Sequence, residues 1–292
     1  FVSTNHAILY CNLAPVFADI DEFLCLDPAS VEDRITPRTR AVCFVGVGGN
    51  TGQWEAIREI CQRRGLALIL DASHMVGTRA DGRHVGWDAD AAIFSFQAVK
   101  NLPTADSGMI CFRDKPLDAE ARKWSWLGIS QDTYTRTLYG GTYKWLYDVE
   151  HVGFKYNGNS LMAAMGLVGL RYIDDDNAYR RQLAAWYDEE LRGVKGIELI
   201  PMSERCVSSR HLYQVKVEDR DATVVALNKR DIFPGVHYND NIRYRMYAQA
   251  EGSCPRARAA SERVISLPMH LRLSEADVRR VARALVEIVR HR

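Results

Sequence analysis

The stretch AVCFVGVGGNTGQWEAIREICQRRGLALILD, residues 41–71, decides the fold class. Its first seven residues, Ala41–Val47, form a continuous apolar run that reads as a buried strand. A turn-rich loop, Gly48–Gly52, follows. Trp54, Ile57, Ile60 and Cys61 then fall on one helical face, and the pattern stops at Gly65. Leu66–Leu70 is a second buried strand. Strand, helix, strand, with unbroken apolar strands, means parallel β-strands covered by helices. Ala91–Phe96 and Ser107–Phe112 read as two more strands of the same kind.

Downstream the texture changes. Ser160–Ile173 and Asn177–Val194 read as two long helices. Three short alternating segments follow, beginning at Ile197, His211 and Pro234. Two helices close the chain, and the last carries a capping box at Ser274–Asp277. Its apolar positions Val278, Val281, Leu285, Ile288 and Val289 repeat at helical spacing. We therefore expect an α/β protein: a mainly parallel large domain over residues 1–175 and a smaller α+β domain over 176–292. The opening FVSTNHAILY enters mid-pattern with neither Met nor cap, so we expect the chain to start inside its domain.

With 292 residues, 47% of them hydrophobic, the chain is long enough for two cores. A formal net charge of +1 provides no field to attract nucleic acid or anionic lipid. No apolar run reaches membrane-spanning length. The seven cysteines are odd in number, with none in C-x-x-C spacing and no histidine cluster beside them. That pattern speaks for reduced thiols in a cytoplasmic protein and against a disulfide framework or a metal centre.

Ligands of open α/β sheets sit beyond the C-terminal ends of the strands. Asp71, Ser95 and Lys100 all fall there. Singly, each has a structural reading: Asp71 as a helix cap, Ser95 as a hydroxyl bonded to backbone, Lys100 as a salt-bridged loop lysine. His74 reads the same way, as a packed histidine. Together they point to one chemistry. A poorly solvated lysine has a lowered pKa, and its free amine can form a Schiff base. A carboxylate at a neighbouring strand end keeps a pyridine nitrogen protonated, which makes the ring an electron sink. The serine offers a hydrogen bond to a phosphate.

DASHMVG, from Asp71, followed by GWDADAAIFSFQAVKNLPTADSGM resembles the cofactor segment of the DegT/DnrJ/EryC1/StrS family, the sugar aminotransferases of fold type I that depend on pyridoxal 5'-phosphate (PLP). GFKYNGNSLMAAMGLVGL, PGVHY and ISLPMH resemble further pieces of that family, so the likeness covers nearly the whole chain. It implies that Lys100 holds PLP covalently, Asp71 pairs with the pyridine nitrogen and Ser95 binds the phosphate. His74 would lie near the cofactor's phenolic oxygen, Ser73 against the ring face, and Phe1 where the family places a stacking aromatic. The remaining phosphate cradle, a helix N-terminus, is expected upstream of Phe1.

Two departures stand out. Lys155 replaces an asparagine that, in the family, reaches the phosphate of the neighbouring subunit. It reads either as a point-charge substitute or as a surface lysine. Ala105 and Ser107 replace two glycines of the loop after Lys100. The Gly48–Gly52 loop reads as a turn before a substrate contact, and His237 and Tyr238 as packing before substrate binding. Trp124, Trp126 and Trp145 read as packing or as a sugar platform.

The resemblance implies an aminotransferase that converts a keto-sugar, nucleotide-linked, to an amino sugar with glutamate or glutamine as donor. It also implies a homodimer with shared active sites. Two alternatives stand beside it. One is a deoxysugar dehydratase using the same cofactor, against which Lys100 argues because those enzymes carry histidine there. The other is a non-catalytic regulatory protein on the same scaffold.

Overall fold

The structure, a computed structural model, describes residues 1–130 and 147–291. Trp145 lies outside them. Helix α1 (Val2–Tyr10) and the short α2 (Pro28–Arg34) precede the sheet. Strand β1 (Ala41–Val45) leads through the Gly48–Gly52 loop into α3 (Trp54–Arg64). Gly65 ends α3 at φ +64°, a left-handed conformation that glycine adopts without a Cβ clash. Strand β2 (Ala67–Asp71) then pairs in parallel with β1, with Val45 opposite Asp71.

No crossover helix separates β2 from the next core strand. The chain instead makes a small hairpin, β3 (Arg79–Ala80) and β4 (Arg83–His84), before β5 (Ala91–Ser95) runs parallel to β2. Strand β6 (Gly108–Phe112) pairs with β5 antiparallel, with Ser95 opposite Gly108. The sheet is therefore mainly parallel, as expected, in the order β1-β2-β5-β6, with β6 its one antiparallel strand. The physical reason is the connection. Residues 96–107 carry turns and no helix, so the chain reverses on itself.

Helix α4 (Lys115–Ser125) follows β6. The two helices expected over 160–194 are α5 (Ser160–Gly169) and α6 (Ile173–Leu191). The break falls earlier than periodicity suggested, at Leu170–Tyr172. Residue 175, the expected domain boundary, lies in the first turn of α6. Near its start Ile173 packs with Val76 and Leu102, while Leu183, Tyr187 and Leu191 join a second core.

That core is built on a three-stranded antiparallel sheet of β7 (Ile197–Leu199), β9 (Tyr213–Val217) and β10 (Val264–Leu267), ordered β10-β9-β7. Between β7 and β9, β8 (Cys206–Val207) pairs with β3 and ties the two halves together. The expected alternation of β9 is absent, because Tyr213, Gln214, Val215 and Val217 are all buried. The Pro234–Tyr238 segment forms no strand beyond a single bridge, Gly235 to Ser266. Helices α7 (Arg220–Asn228), α8 (Pro255–Arg263) and α9 (Glu275–Arg290) complete the fold, and α9 starts at the predicted Ser274–Asp277 capping box. The first core gathers Val42, Phe44, Ile57, Leu68 and Leu70 between sheet and helices.

Candidate active site

Asp71 is the last residue of β2, so its carboxylate stands at the C-terminal edge of the sheet. Two flanking hydroxyls hold it. Thr4 of α1 donates to Oδ2 at 2.7 Å, and Ser73 donates to Oδ1 from its Oγ at 2.6 Å and its backbone N–H at 3.1 Å. Each oxygen retains acceptor capacity for a further donor.

Lys100 approaches from the loop after β5 and is half-buried. Burial pushes its amine below the ordinary lysine range, against the pull of the Asp71 carboxylate, so the two groups sit within electrostatic reach of each other. His74 is buried beside them. The Gly48 N–H donates to its Nδ1 at 3.2 Å. A backbone N–H only donates, so the neutral ring carries its proton on Nε2, which faces the Tyr238 hydroxyl at 3.1 Å. Burial first, then His211 and the Lys100 charge, hold His74 well below the usual imidazole range. Burial, and next the Asp71 charge, push the Tyr238 hydroxyl up to about 12.

Ser95 ends β5, and its Oγ accepts from the Gln97 N–H at 3.4 Å. The Gln97 carbonyl in turn accepts from the Lys100 N–H, which closes the turn that carries the lysine. Phe1 is exposed and packs its ring 5.6 Å from that of Tyr238. Thus Asp71, Ser73, His74 and Lys100 converge, and Phe1 joins them through Tyr238. Lys155 makes its contact elsewhere: its ammonium lies 3.3 Å from the centroid of the Trp126 ring. Trp124 stacks on His151, so these two tryptophans are already engaged by side chains of this chain.

Several residues that shape the site escaped the sequence reading. Thr4 lies in a helix with little amphipathic signal. Ser209 and His211 precede β9 and reach the site only because the two cores pack together. Tyr238, which by sequence is a packing residue, bonds a site histidine through its hydroxyl. The Gly48–Gly52 loop is a turn by sequence, and its Gly48 N–H orients His74. Gly49 sits at φ +92°, and a Cβ there would meet Ser209 Oγ at 2.5 Å, so the loop's glycine permits its close docking on the second half.

With that geometry in view, comparison with known proteins is informative. The DegT/DnrJ/EryC1/StrS aminotransferase family model matches residues 1–286. The chain belongs to that family. The spore coat polysaccharide biosynthesis protein SpsC of Bacillus subtilis is 34% identical over 302 residues, covering 99% of this chain and 77% of its own. Among solved structures, the aminotransferase TlmJ from Streptoalloteichus hindustanus superposes with a TM-score of 0.90 at 33% identity, over 98% of this chain and 76% of that one. The sugar aminotransferase CalS13 from Micromonospora echinospora does so with a TM-score of 0.89 at 27% identity, over 98% and 78%. Family and fold together make this chain a PLP-dependent sugar aminotransferase of fold type I.

Proposed function

We propose that the enzyme transfers an amino group from glutamate or glutamine to a nucleotide-linked keto-sugar. One observation carries the reading: a carboxylate held by two hydroxyls lies within electrostatic reach of a half-buried amine, with a neutral imidazole nearby. This donor set fits PLP. Asp71 would accept the hydrogen bond of the pyridine N–H, Lys100 would take the aldehyde, and Ser95 would bind the phosphate. His74 and Ser73 would hold the ring, Phe1 would cover it, and Lys155 would serve the phosphate of a neighbouring subunit. When bound, PLP carries the amino group and its ring takes up the electron pair released at the donor's α-carbon.

The protein's own residues do the rest. Asp71 would stand beside the ring nitrogen and its carboxylate would hold a proton there. Thr4 and Ser73 fix the carboxylate in place, leaving it no reorganisation to make during reaction. Lys100 Nζ would take the proton from the donor's α-carbon as general base and, as general acid, would hand it to the cofactor carbon that receives the amino group. Burial lowers its pKa and so favours the uncharged amine, the form that both attachment and proton removal require. His74 holds its Nε2 proton toward Tyr238, which leaves the hydroxyl hydrogen of Tyr238 available for another acceptor.

We further place the cofactor in the unit of residues 1–175, with 176–292 as the smaller domain, in a cytoplasmic homodimer whose sites are shared between subunits. Nucleic acid and membrane have no part in the reading. Purified enzyme with PLP and glutamate or glutamine, given a panel of nucleotide-linked keto-sugars, should yield an amino sugar and the matching keto acid in equal amounts. Loss of a hydroxyl from the sugar without amine transfer would instead indicate a dehydratase, and no reaction with any member of the panel would contradict the proposal.

A further inference from the structure

Beneath the Lys100 loop lies a buried polar cluster that the reaction itself does not use. Asn101, the residue after the lysine, is 7% exposed and fully engaged. Its Nδ2 donates both hydrogens, to Asn177 Oδ1 and to the Ser209 carbonyl, each at 2.8 Å. A carbonyl only accepts, so this nitrogen is assigned without ambiguity. Asn101 Oδ1 is then the acceptor of the remaining bond, and His211 Nδ1 must carry the hydrogen that reaches it at 2.8 Å. Asn177 is itself anchored, donating to the Val76 carbonyl at 2.9 Å. Three directions of restraint therefore meet on one side chain next to Lys100: one from α6, one from the backbone before β9, and one from an imidazole.

His211 has a second face. Its ring lies 4.3 Å from that of His74, with planes 34° apart. Ser209 adds to the same support, donating from Oγ to the His74 carbonyl at 2.7 Å. The second half of the chain thus braces two elements of the site at once, the lysine loop and the imidazole. We propose that Asn101 and His211 are positioning residues that hold Lys100 and His74 in their working places, through a bracket contributed from outside the sheet. The inference rests on Lys100 being the cofactor lysine. Groups that bear electrostatically on Lys100 or feel its charge are Asp71, His74, His211, His237 and the amino group of Phe1.

The test compares three variants with the wild type. Asn101→Ala removes the bracket. His211→Phe keeps a ring against His74 and removes the donor. His211→Asn puts an amide N–H where Nδ1 stood. Two readouts need no turnover: the dissociation constant for PLP, and the pH at half-maximal acetylation of Lys100 in the apoprotein, followed by peptide mass. In Asn101→Ala and His211→Phe we expect PLP affinity to fall about tenfold, the size of one lost buried hydrogen bond. The Lys100 midpoint should rise by about one pH unit toward the ordinary lysine value. His211→Asn should restore both. If Asn101→Ala fails to fold, His211→Phe and its rescue still decide the matter.

Unmoved affinity and midpoint in the folded variants, even with a lowered melting temperature, would show the cluster to be structural only. Borohydride-fixed cofactor on a lysine other than Lys100 in the wild type would overturn the reading of the site, and the inference with it. Cofactor on Lys100 with unmoved variants would overturn the inference alone.

Discussion

At the scale of single residues, the site depends on how a few polar groups are held. Asp71 with its two hydroxyl partners is a preorganised charge, and Asp71→Asn keeps the shape while removing it. We expect kcat to fall about 10²- to 10³-fold, the range for loss of one preorganised electrostatic group, with the variant's fold intact by circular dichroism. A kcat within a factor of a few of the wild type would remove Asp71 from the reaction. Ala105 is a different case. It stands in the lysine loop at φ +76°, where a Cβ is disfavoured. Ala105→Gly should relieve about 1–2 kcal/mol of backbone strain, partly offset by the greater freedom of the unfolded chain. A net gain of about 0.5–1 kcal/mol in chemical denaturation is the expected outcome. That Asp71 and Lys100 lie near each other was legible because a carboxylate and a lysine after successive apolar strands leave a pattern in one dimension. His211 and Asn101 left none: nothing in the chain between them signals that a histidine 110 positions on will meet that amide.

At the scale of elements, direction was harder to read than existence. An apolar run marks β6 as a strand, but only its connection determines which way it runs, and 96–107 has the turn residues of a reversal. Strand β9 lost its expected alternation because it is covered on both faces. Helix α5 shows the opposite mismatch. It is apolar all round, yet none of its residues is buried. Its Gly169 packs so closely on Leu102 that a Cβ would come within 2.5 Å of that side chain, which seats α5 on the lysine loop. The rest faces outward, with Leu161 80% and Leu167 66% exposed. A helix hydrophobic all round belongs in an interior, and the proposed dimer supplies one. Replacing both leucines with aspartate should halve the mass seen by sedimentation. A double variant that keeps the wild-type mass would place the dimer contact elsewhere.

At the scale of the whole molecule, burial in the folded chain favours the neutral form of several histidines. Burial lowers His74, His84 and His237, and lowers His211 to about 3. Their folded pKa values lie below the unfolded value near 6.5, so the unfolded chain binds more protons as acid is added. Stability is then unaffected by these groups above about pH 6.5 and declines below it, by up to about 1.4 kcal/mol per pH unit for each fully neutral imidazole. His211→Asn removes one such group. Its urea midpoint should fall less steeply than the wild type's between pH 6.5 and 5. Equal slopes would mean that His211 is protonated in the folded enzyme.

All of these scales meet in one amine. The most direct measurement is to incubate the enzyme with PLP, reduce with borohydride, and map the modified peptide by mass. The account predicts a single label on Lys100, absent in Lys100→Ala along with the visible absorbance of the bound cofactor. A label distributed over surface lysines, or an absorbance band that survives Lys100→Ala, would contradict it.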